Sequence, residues 1–201
     1  MGKQVLLKNV RFSFVRVFEA ENNQDPTRPE YSVVIILPKS EKEQIAKIKK
    51  IVKDLCEEFL VKNPAFKGKL PGKFFLPLKD GDSEDNTREE YEGSINFRAK
   101  KPEENGRPVI IDAKKNPITS KEDMYSGSWG NASVEFYTYY NPKGGYMGVG
   151  VGLRGIQKTR DDESLGGGGG NAMNDFDTED LGSDDPLNDF NGGTMVDDLP
   201  F

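Results

Sequence analysis

The sequence predicts a mostly β protein with one major helix, a small barrel followed by a disordered acidic tail. Three observations lead there. Several apolar or alternating runs are separated by turns rich in Gly and Pro; one stretch alone repeats its apolar residues at helical spacing; and charge and hydropathy change abruptly near Arg160.

Residues 5–18, VLLKNVRFSFVRVF, are rich in β-branched and aromatic residues and predict a long strand. Residues 31–37, YSVVIIL, predict a second, apolar almost throughout and stopped by Pro38. Residues 40–61 predict the helix. Ser40 is a candidate N-cap with Glu43 completing a capping box, and Ile45, Ile48, Val52, Leu55, Phe59 and Leu60 form one apolar stripe. Cys56 is expected beside that stripe as a small buried residue. Residues 63–88 are loop-rich, with FFLPL a candidate short strand. Residues 94–100, SINFRAK, alternate, with Ile95, Phe97 and Ala99 on one face and Asn96, Arg98 and Lys100 on the other. Residues 108–112, PVIID, predict another strand. Residues 129–140 and 146–158 predict two long strands joined by the turn NPKGG. Strands in this number, one helix and a final long hairpin fit a closed or nearly closed barrel of OB-fold type.

Composition narrows the chemistry. The chain has 201 residues, of which 34% are hydrophobic and 31% charged, a lean ratio for a body that folds throughout. It has no histidine and a single cysteine. That excludes Ser-His-Asp and Cys-His catalysis, an intramolecular disulfide and a paired-cysteine metal site. No apolar run approaches the ~20 residues of a membrane span, and the first residues lack a signal peptide's apolar stretch. A cytoplasmic setting is the simplest expectation, and no cofactor is implied. The net charge of −6 averages two unlike regions: residues 161–201 carry 12 acidic residues and no Lys or Arg, which leaves the first 160 a net of +6. A division follows, with a folded domain over 1–160 and a Gly-rich linker with an acidic tail over 161–201.

The final hairpin carries the candidate site. By strand parity Ala132, Val134, Phe136, Thr138 and Tyr140 share one face, and Asn131, Ser133, Glu135, Tyr137 and Tyr139 the other. On the partner strand Met147, Val149, Val151 and Leu153 face the core, while Tyr146, Gly148, Gly150, Gly152, Arg154 and Lys158 face outward. Alternate glycines clear the outer surface, and tyrosines and cations lie around it. Such a surface suits unpaired nucleic acid, since bases stack on aromatic rings whatever their sequence and cations neutralise phosphates. The candidate stacking residues are Tyr137, Tyr139, Tyr146, Trp129 and Tyr125. The candidate phosphate contacts are Arg98, Lys100, Lys101, Arg107, Lys114, Lys115, Lys143 and Arg154. The alternative for the same letters is structural: glycines that admit a neighbouring element and tyrosines that rim the core.

Two weaker motifs remain. DGDSEDN at 80–86 resembles a calcium loop but has Asp85 where such a loop needs Gly and Tyr91 where it needs Glu. Asp112 and Lys114 have the spacing of some metal-dependent nucleases, which need a second carboxylate to hold Mg²⁺. A Mg²⁺-dependent nuclease centred on that pair is thus one alternative function. An adaptor that carries the tail without binding DNA is another.

Residues 125–163, YSGSWGNASVEFYTYYNPKGGYMGVGVGLRGIQKTRDDE, resemble the C-terminal half of single-stranded-DNA-binding proteins encoded by tailed bacteriophages. The shared features are a Y-S-G-x-W/Y-x-N element, a hairpin, a Gly-Val strand and a Leu-x-x-Ile/Val-Gln close. The N-terminal strand and RPVIIDAKKNPI are similar too, so the likeness spans most of residues 1–160. The 40–61 helix stands where such phage proteins, including the T7 type, carry an insertion. The resemblance implies an OB-fold that coats single strands without strong sequence preference in replication, recombination or repair, has no enzymatic activity and works in the host cytoplasm. The tail end, VDDLPF, resembles the acidic tip ending in Ile-Pro-Phe of bacterial single-stranded-DNA-binding proteins. That likeness implies that Asp197, Asp198, Leu199, Pro200 and Phe201 dock on replication or repair proteins. The terminal ring would fill an apolar pocket and the aspartates would steer the encounter. A homo-oligomer is left open.

Overall fold

The computed structural model describes residues 2–21 and 26–165. Residues 166–201, most of the linker and tail and with them the expected docking residues Asp197, Asp198, Leu199, Pro200 and Phe201, lie outside the described residues.

The elements run β1 (Lys3–Arg16), β2 (Glu30–Pro38), α1 (Lys42–Lys62), β3 (Lys79–Asp80), β4 (Ser94–Pro102), β5 (Val109–Ile111), β6 (Trp129–Asn141) and β7 (Tyr146–Arg160). The sheet order is β3-β4-β2-β1-β6-β7-β5, and a further β4–β7 pairing closes β1, β2, β4, β7 and β6 into a ring. All pairings within the ring are antiparallel except β4–β7, which is parallel through Lys100 and Gly152. This is the OB-type barrel that the strand pattern predicts, with α1 in the connection from β2 to β4.

The core is the set of inward residues that alternation selects. Val5 and Leu7 of β1, Val33, Ile35 and Leu37 of β2, Phe97 and Ala99 of β4, Ala132, Val134 and Phe136 of β6, and Val149, Val151 and Leu153 of β7 are all buried in one cluster. Phe97 and Phe136 meet at 5.7 Å between ring centroids. The helix closes the barrel with Ile48, Val52, Leu55, Cys56 and Phe59, the expected stripe with Cys56 beside it. Its start differs from the capping-box expectation. The N-cap is Glu41, with no side-chain cap. A tight turn places the Glu41 amide on the Pro38 carbonyl and the Lys42 amide on the Ser40 carbonyl, both at 2.9 Å. The Glu41 carboxylate instead accepts from Asn9 and Gln44, each at 2.8 Å.

Three irregularities matter for the surface. Strand β1 bulges between Ser13 and Arg16 against β2. Strand β7 bulges where Ser133 faces Gly155 but Val134 faces Leu153, so Arg154 is the extra residue and stands exposed. Lastly, FFLPL forms no strand; Phe75 makes one parallel bridge to Gly148, donating to the Met147 carbonyl and accepting from the Val149 amide, both at 2.9 Å.

Candidate nucleic-acid interface

The β6–β7 register sets Tyr137 opposite Gly150, Tyr139 opposite Gly148 and Glu135 opposite Gly152, so tyrosines and glycines share the outer face. The Tyr137 ring lies across Gly150: a Cβ built there would stand 2.8 Å from the ring Cζ and 2.9 Å from the hydroxyl oxygen. The ring remains 41% exposed. Glycine at 150 is therefore what lets the ring lie flat on the strand, where a passing base could stack on its open side. At Gly152 a Cβ would meet nothing nearer than 3.6 Å, which leaves the strand surface open. Gly148 is different. The Phe75 main chain passes over it, with the carbonyl oxygen 2.5 Å from a built Cβ. The three alternate glycines thus divide: one beneath a tyrosine, one open, and one beneath a neighbouring segment.

Phe75 was not among the candidate residues, yet it joins this face. It is 49% exposed, as is the adjacent Leu76. In the sequence the FFLPL run reads only as a candidate short strand. Burial raises the phenol pKa of both Tyr137 and Tyr139, and Tyr139, Glu30 and Glu135 add to the shift at Tyr137. A phenol is neutral at physiological pH even at its ordinary value near 10, and the shift only moves it further from ionising.

Cations approach the face from β4. Lys100 pairs in register with Gly152 and its ammonium holds Glu30 at 2.6 Å. Arg98 stands two residues away on the same side and donates to the Ser32 hydroxyl at 2.9 Å. Arg154 is exposed at the β7 bulge, and Lys143 is exposed in the hairpin turn. Tyr146 is 68% exposed, its ring folded against Gly144 at the same turn. Lys101 and Arg107 lie at the β4–β5 connection. Lys101 donates to the Arg107 carbonyl at 3.2 Å, and Arg107 donates to the Phe18 carbonyl at 2.6 Å.

The remaining candidates sit elsewhere. Trp129 is eight residues from Tyr137 on an extended strand, roughly 26 Å away at ~3.3 Å per residue. It belongs to a second cluster with Tyr125. The Trp129 indole N–H donates to the Asp162 carboxylate at 2.7 Å, and the Tyr125 hydroxyl donates to Asp161 at 2.9 Å. Arg160 lies over the Trp129 ring at 4.2 Å, Lys158 pairs with Asp161 at 2.6 Å, and Arg11 with Asp162 at 3.5 Å. The Leu165 amide donates to the Ser126 carbonyl at 2.7 Å. The chain is thus held against the barrel past Arg160, and the first acidic residues already occupy the cations and aromatic edges of this cluster. The Lys158 ammonium also holds Asp161 below the usual carboxylate range, with the Tyr125 hydroxyl helping.

Lys114 and Lys115 lie in the turn after β5. There the Asp112 carboxylate accepts from the Lys114 amide, the Asn116 amide and the Asn116 side chain, each at 2.8 Å. The carboxylate that a nuclease would present to Mg²⁺ is engaged in shaping its own turn. In the calcium-like loop, Asp80 and Asp82 both grip Lys39 at 2.6 Å. Among the described residues no group of three or more acidic or thiol side chains is placed to hold a metal ion. Nor is any described helix long and apolar enough to cross a membrane.

Comparison with known proteins agrees with this fold. The bacteriophage Enc34 single-stranded DNA-binding protein, solved in complex with ssDNA, is similar in structure: TM-score 0.66, 23% identity, 81% of this chain and 89% of that one. A second structure of the same protein gives a TM-score of 0.60 at 24% identity, over 87% and 90% of the two chains. Gp2.5, a single-stranded DNA-binding protein encoded by bacteriophage T7, gives 0.59 at 14% identity, over 89% and 97%. In sequence, the p50 protein of Acyrthosiphon pisum secondary endosymbiont phage 1 is 30% identical over 190 residues, 92% of this chain and 98% of that protein. Those neighbours with a stated role are described as DNA-binding proteins and not as enzymes. The model of the Enterobacter phage Enc34 ssDNA-binding protein family matches residues 3–187, and the chain belongs to that family.

Proposed function

We propose that this protein binds single-stranded DNA without strong sequence preference, on the outer face of β6, β7 and β4. The observation that carries the reading is the Tyr137 ring laid across Gly150 on an open strand, with Tyr139 and Phe75 beside it and Lys100 and Arg98 next on the sheet. Rings supply sequence-blind stacking at about 1–3 kcal/mol per base, and the cations supply salt-dependent phosphate contacts. The body's net charge of +6 favours the encounter. In this reading the protein coats transient single strands during phage replication, recombination or repair in the cytoplasm of the bacterial host. Its VDDLPF end recruits partner enzymes, and the Gly-rich linker tethers that tip to the DNA-binding body.

A gel-shift titration with single-stranded and duplex DNA tests the binding. Retardation of the single strand at lower protein concentration, weakening steeply with salt, is the expected result. Tyr137→Ala and Tyr139→Ala should each weaken binding more than Lys47→Ala on the exposed side of α1. Equal losses at all three positions would remove the hairpin from the interface. Addition of Mg²⁺ should leave labelled DNA intact, and fragments would revive the nuclease alternative at Asp112 and Lys114.

A further inference from the structure

Phe14 is the one aromatic residue among those described whose backbone lies in the left-handed region, at φ 47°. An L-residue with a Cβ is disfavoured there, and a ring gains none of the local hydrogen bonding that lets Asn tolerate it. Burial does not offset the strain, because Phe14 is 37% exposed. The bulge explains how the conformation arises. Register runs Ser13 to Val34 and resumes Arg16 to Ser32, so Phe14 and Val15 together face Val33. Val15 takes the inward place against the core and Phe14 is turned out to the surface. Strain held at an exposed residue points to a role for that residue.

We propose that Phe14 and Arg88 form a further base-stacking subsite for single-stranded DNA, at the far end of the track that begins at Tyr137. The inference rests on the DNA-binding reading above and extends it to a surface that the sequence did not mark. The Arg88 guanidinium sits 4.6 Å from the centre of the Phe14 ring. It is held loosely, 3.2 Å from Glu90 and 49% exposed. Its backbone is held firmly. The Arg88 amide donates to the Asn86 side chain at 3.0 Å and its carbonyl accepts from Asn86 at 2.8 Å. With its main chain anchored and its guanidinium held only by the half-exposed Glu90 pair, the Arg88 side chain can exchange the ring and Glu90 for a phosphate while a base takes its place on the ring.

The surroundings continue the same chemistry. Tyr91 follows Arg88 in the short turn before β4, and its phenol faces the buried Ser13, whose hydroxyl lacks a hydrogen-bond partner of ordinary geometry. Arg98 reaches Ser32 across the sheet. The register links both ends of the track. Val34 pairs with Ser13 and with Arg98, Ser32 with Lys100, Lys100 with Gly152, and Gly150 with Tyr137. Followed through β2, β4 and β7 this path takes four strand steps of ~4.8 Å, about 19 Å, on the side of the ring away from the direct β1–β6 pairing. Aromatic rings thus mark both ends of the path, with arginine and lysine between them.

The test is Phe14→Gly, which removes the ring and relieves the backbone. Its melting temperature should equal or exceed that of the parent protein. Its affinity for a long oligo-dT, read by fluorescence anisotropy, should fall about five- to hundredfold, the loss of one stacked base. Phe14→Tyr should restore it. Arg88→Ala leaves the β1 backbone untouched and should lower the slope of log K against log salt by about one. Parent-like affinity in Phe14→Gly together with a parent-like salt slope in Arg88→Ala overturns the subsite, while losses at Tyr137→Ala leave the main face standing. Failure of the parent protein to bind single strands overturns both.

Discussion

Replacing Gly150 by Ala sets a methyl group against the Tyr137 ring. The new carbon would stand 2.8 Å from Cζ, 2.9 Å from the hydroxyl oxygen and 3.0 Å from Cε2. Carbon atoms rest at about 3.5–4.0 Å, so the ring must retreat by ~0.7 Å or swing to another rotamer. Nothing in the backbone is struck, so the barrel should hold. Strain of about 0.5–1.5 kcal/mol is set against a gain of similar size from replacing glycine within a strand. Folding stability should therefore change little, while a displaced stacking platform should cost DNA affinity about 1–3 kcal/mol, roughly five- to hundredfold. The neighbours supply internal controls. At Gly148 the methyl group would meet the Phe75 main chain, with its oxygen at 2.5 Å and its nitrogen at 2.9 Å. Gly148→Ala should thus cost about 1–3 kcal/mol of stability, a fall of roughly 2–12 °C in melting temperature. At Gly152 the nearest atom is 3.6 Å away, so Gly152→Ala should keep both stability and the Tyr137 ring. Any loss of affinity there reports DNA seated on the strand itself. Thermal melts and oligo-dT anisotropy on the three variants separate these outcomes. Three variants that behave alike would refute the assignment of separate roles to the three glycines.

Two further predictions concern the acidic segment. Deleting residues 161–201 removes 12 negative charges, and affinity for single strands should rise at low salt, because that segment competes with phosphate for the basic body. Deleting only 166–201 removes nine of them and keeps Asp161, Asp162 and Glu163; unchanged affinity in both proteins would show that no part of the segment competes. The chain's single tryptophan offers a pH reading. The Trp129 N–H, the largest influence, holds Asp162 below the usual carboxylate range, and Lys158 does the same for Asp161. A depressed folded pKa stabilises the contact fully above the ordinary value of about 3.9, and that stabilisation is lost as pH falls through the lower folded value. Trp129 emission should be steady above pH ~4 and shift below it. Asp162→Asn should lack that transition, and an identical profile in both proteins would disconnect Trp129 from Asp162.

What could be read in the letters was whatever period alone determines. The α1 stripe and the inward residues of β4, β6 and β7 follow from spacing, and the structure buries most of them, leaving Ile45 and Leu60 half-buried and Tyr140 exposed. Parity also set Tyr137, Tyr139 and the glycines on one face. Contacts between distant segments were not legible. Gly148 looks like Gly150 in sequence, and only the fold lays Phe75 across one and Tyr137 across the other. The Phe14 bulge was hidden for the opposite reason, since a phenylalanine argues against the left-handed backbone it adopts. Trp129 and Tyr125 show that an aromatic residue near cations has two chemistries open to it. Here Asp161 and Asp162 reach those edges first. The Ser40 capping box failed because the helix starts one residue later, with Glu41 at the N-cap after a backbone turn from Pro38.

The ring of strands is joined by a single rung where β4 meets β7, at Lys100 and Gly152. Every other junction in the ring is a ladder of several rungs. The barrel therefore has a built-in slit, and the proposed path of the nucleic acid crosses it. An oligonucleotide lying from Tyr137 to Lys100 acts as a suture over that slit. Amide hydrogens along β4 and β7 should then slow their exchange with solvent before those of β1 and β2, so that the protein is sewn shut by its own cargo.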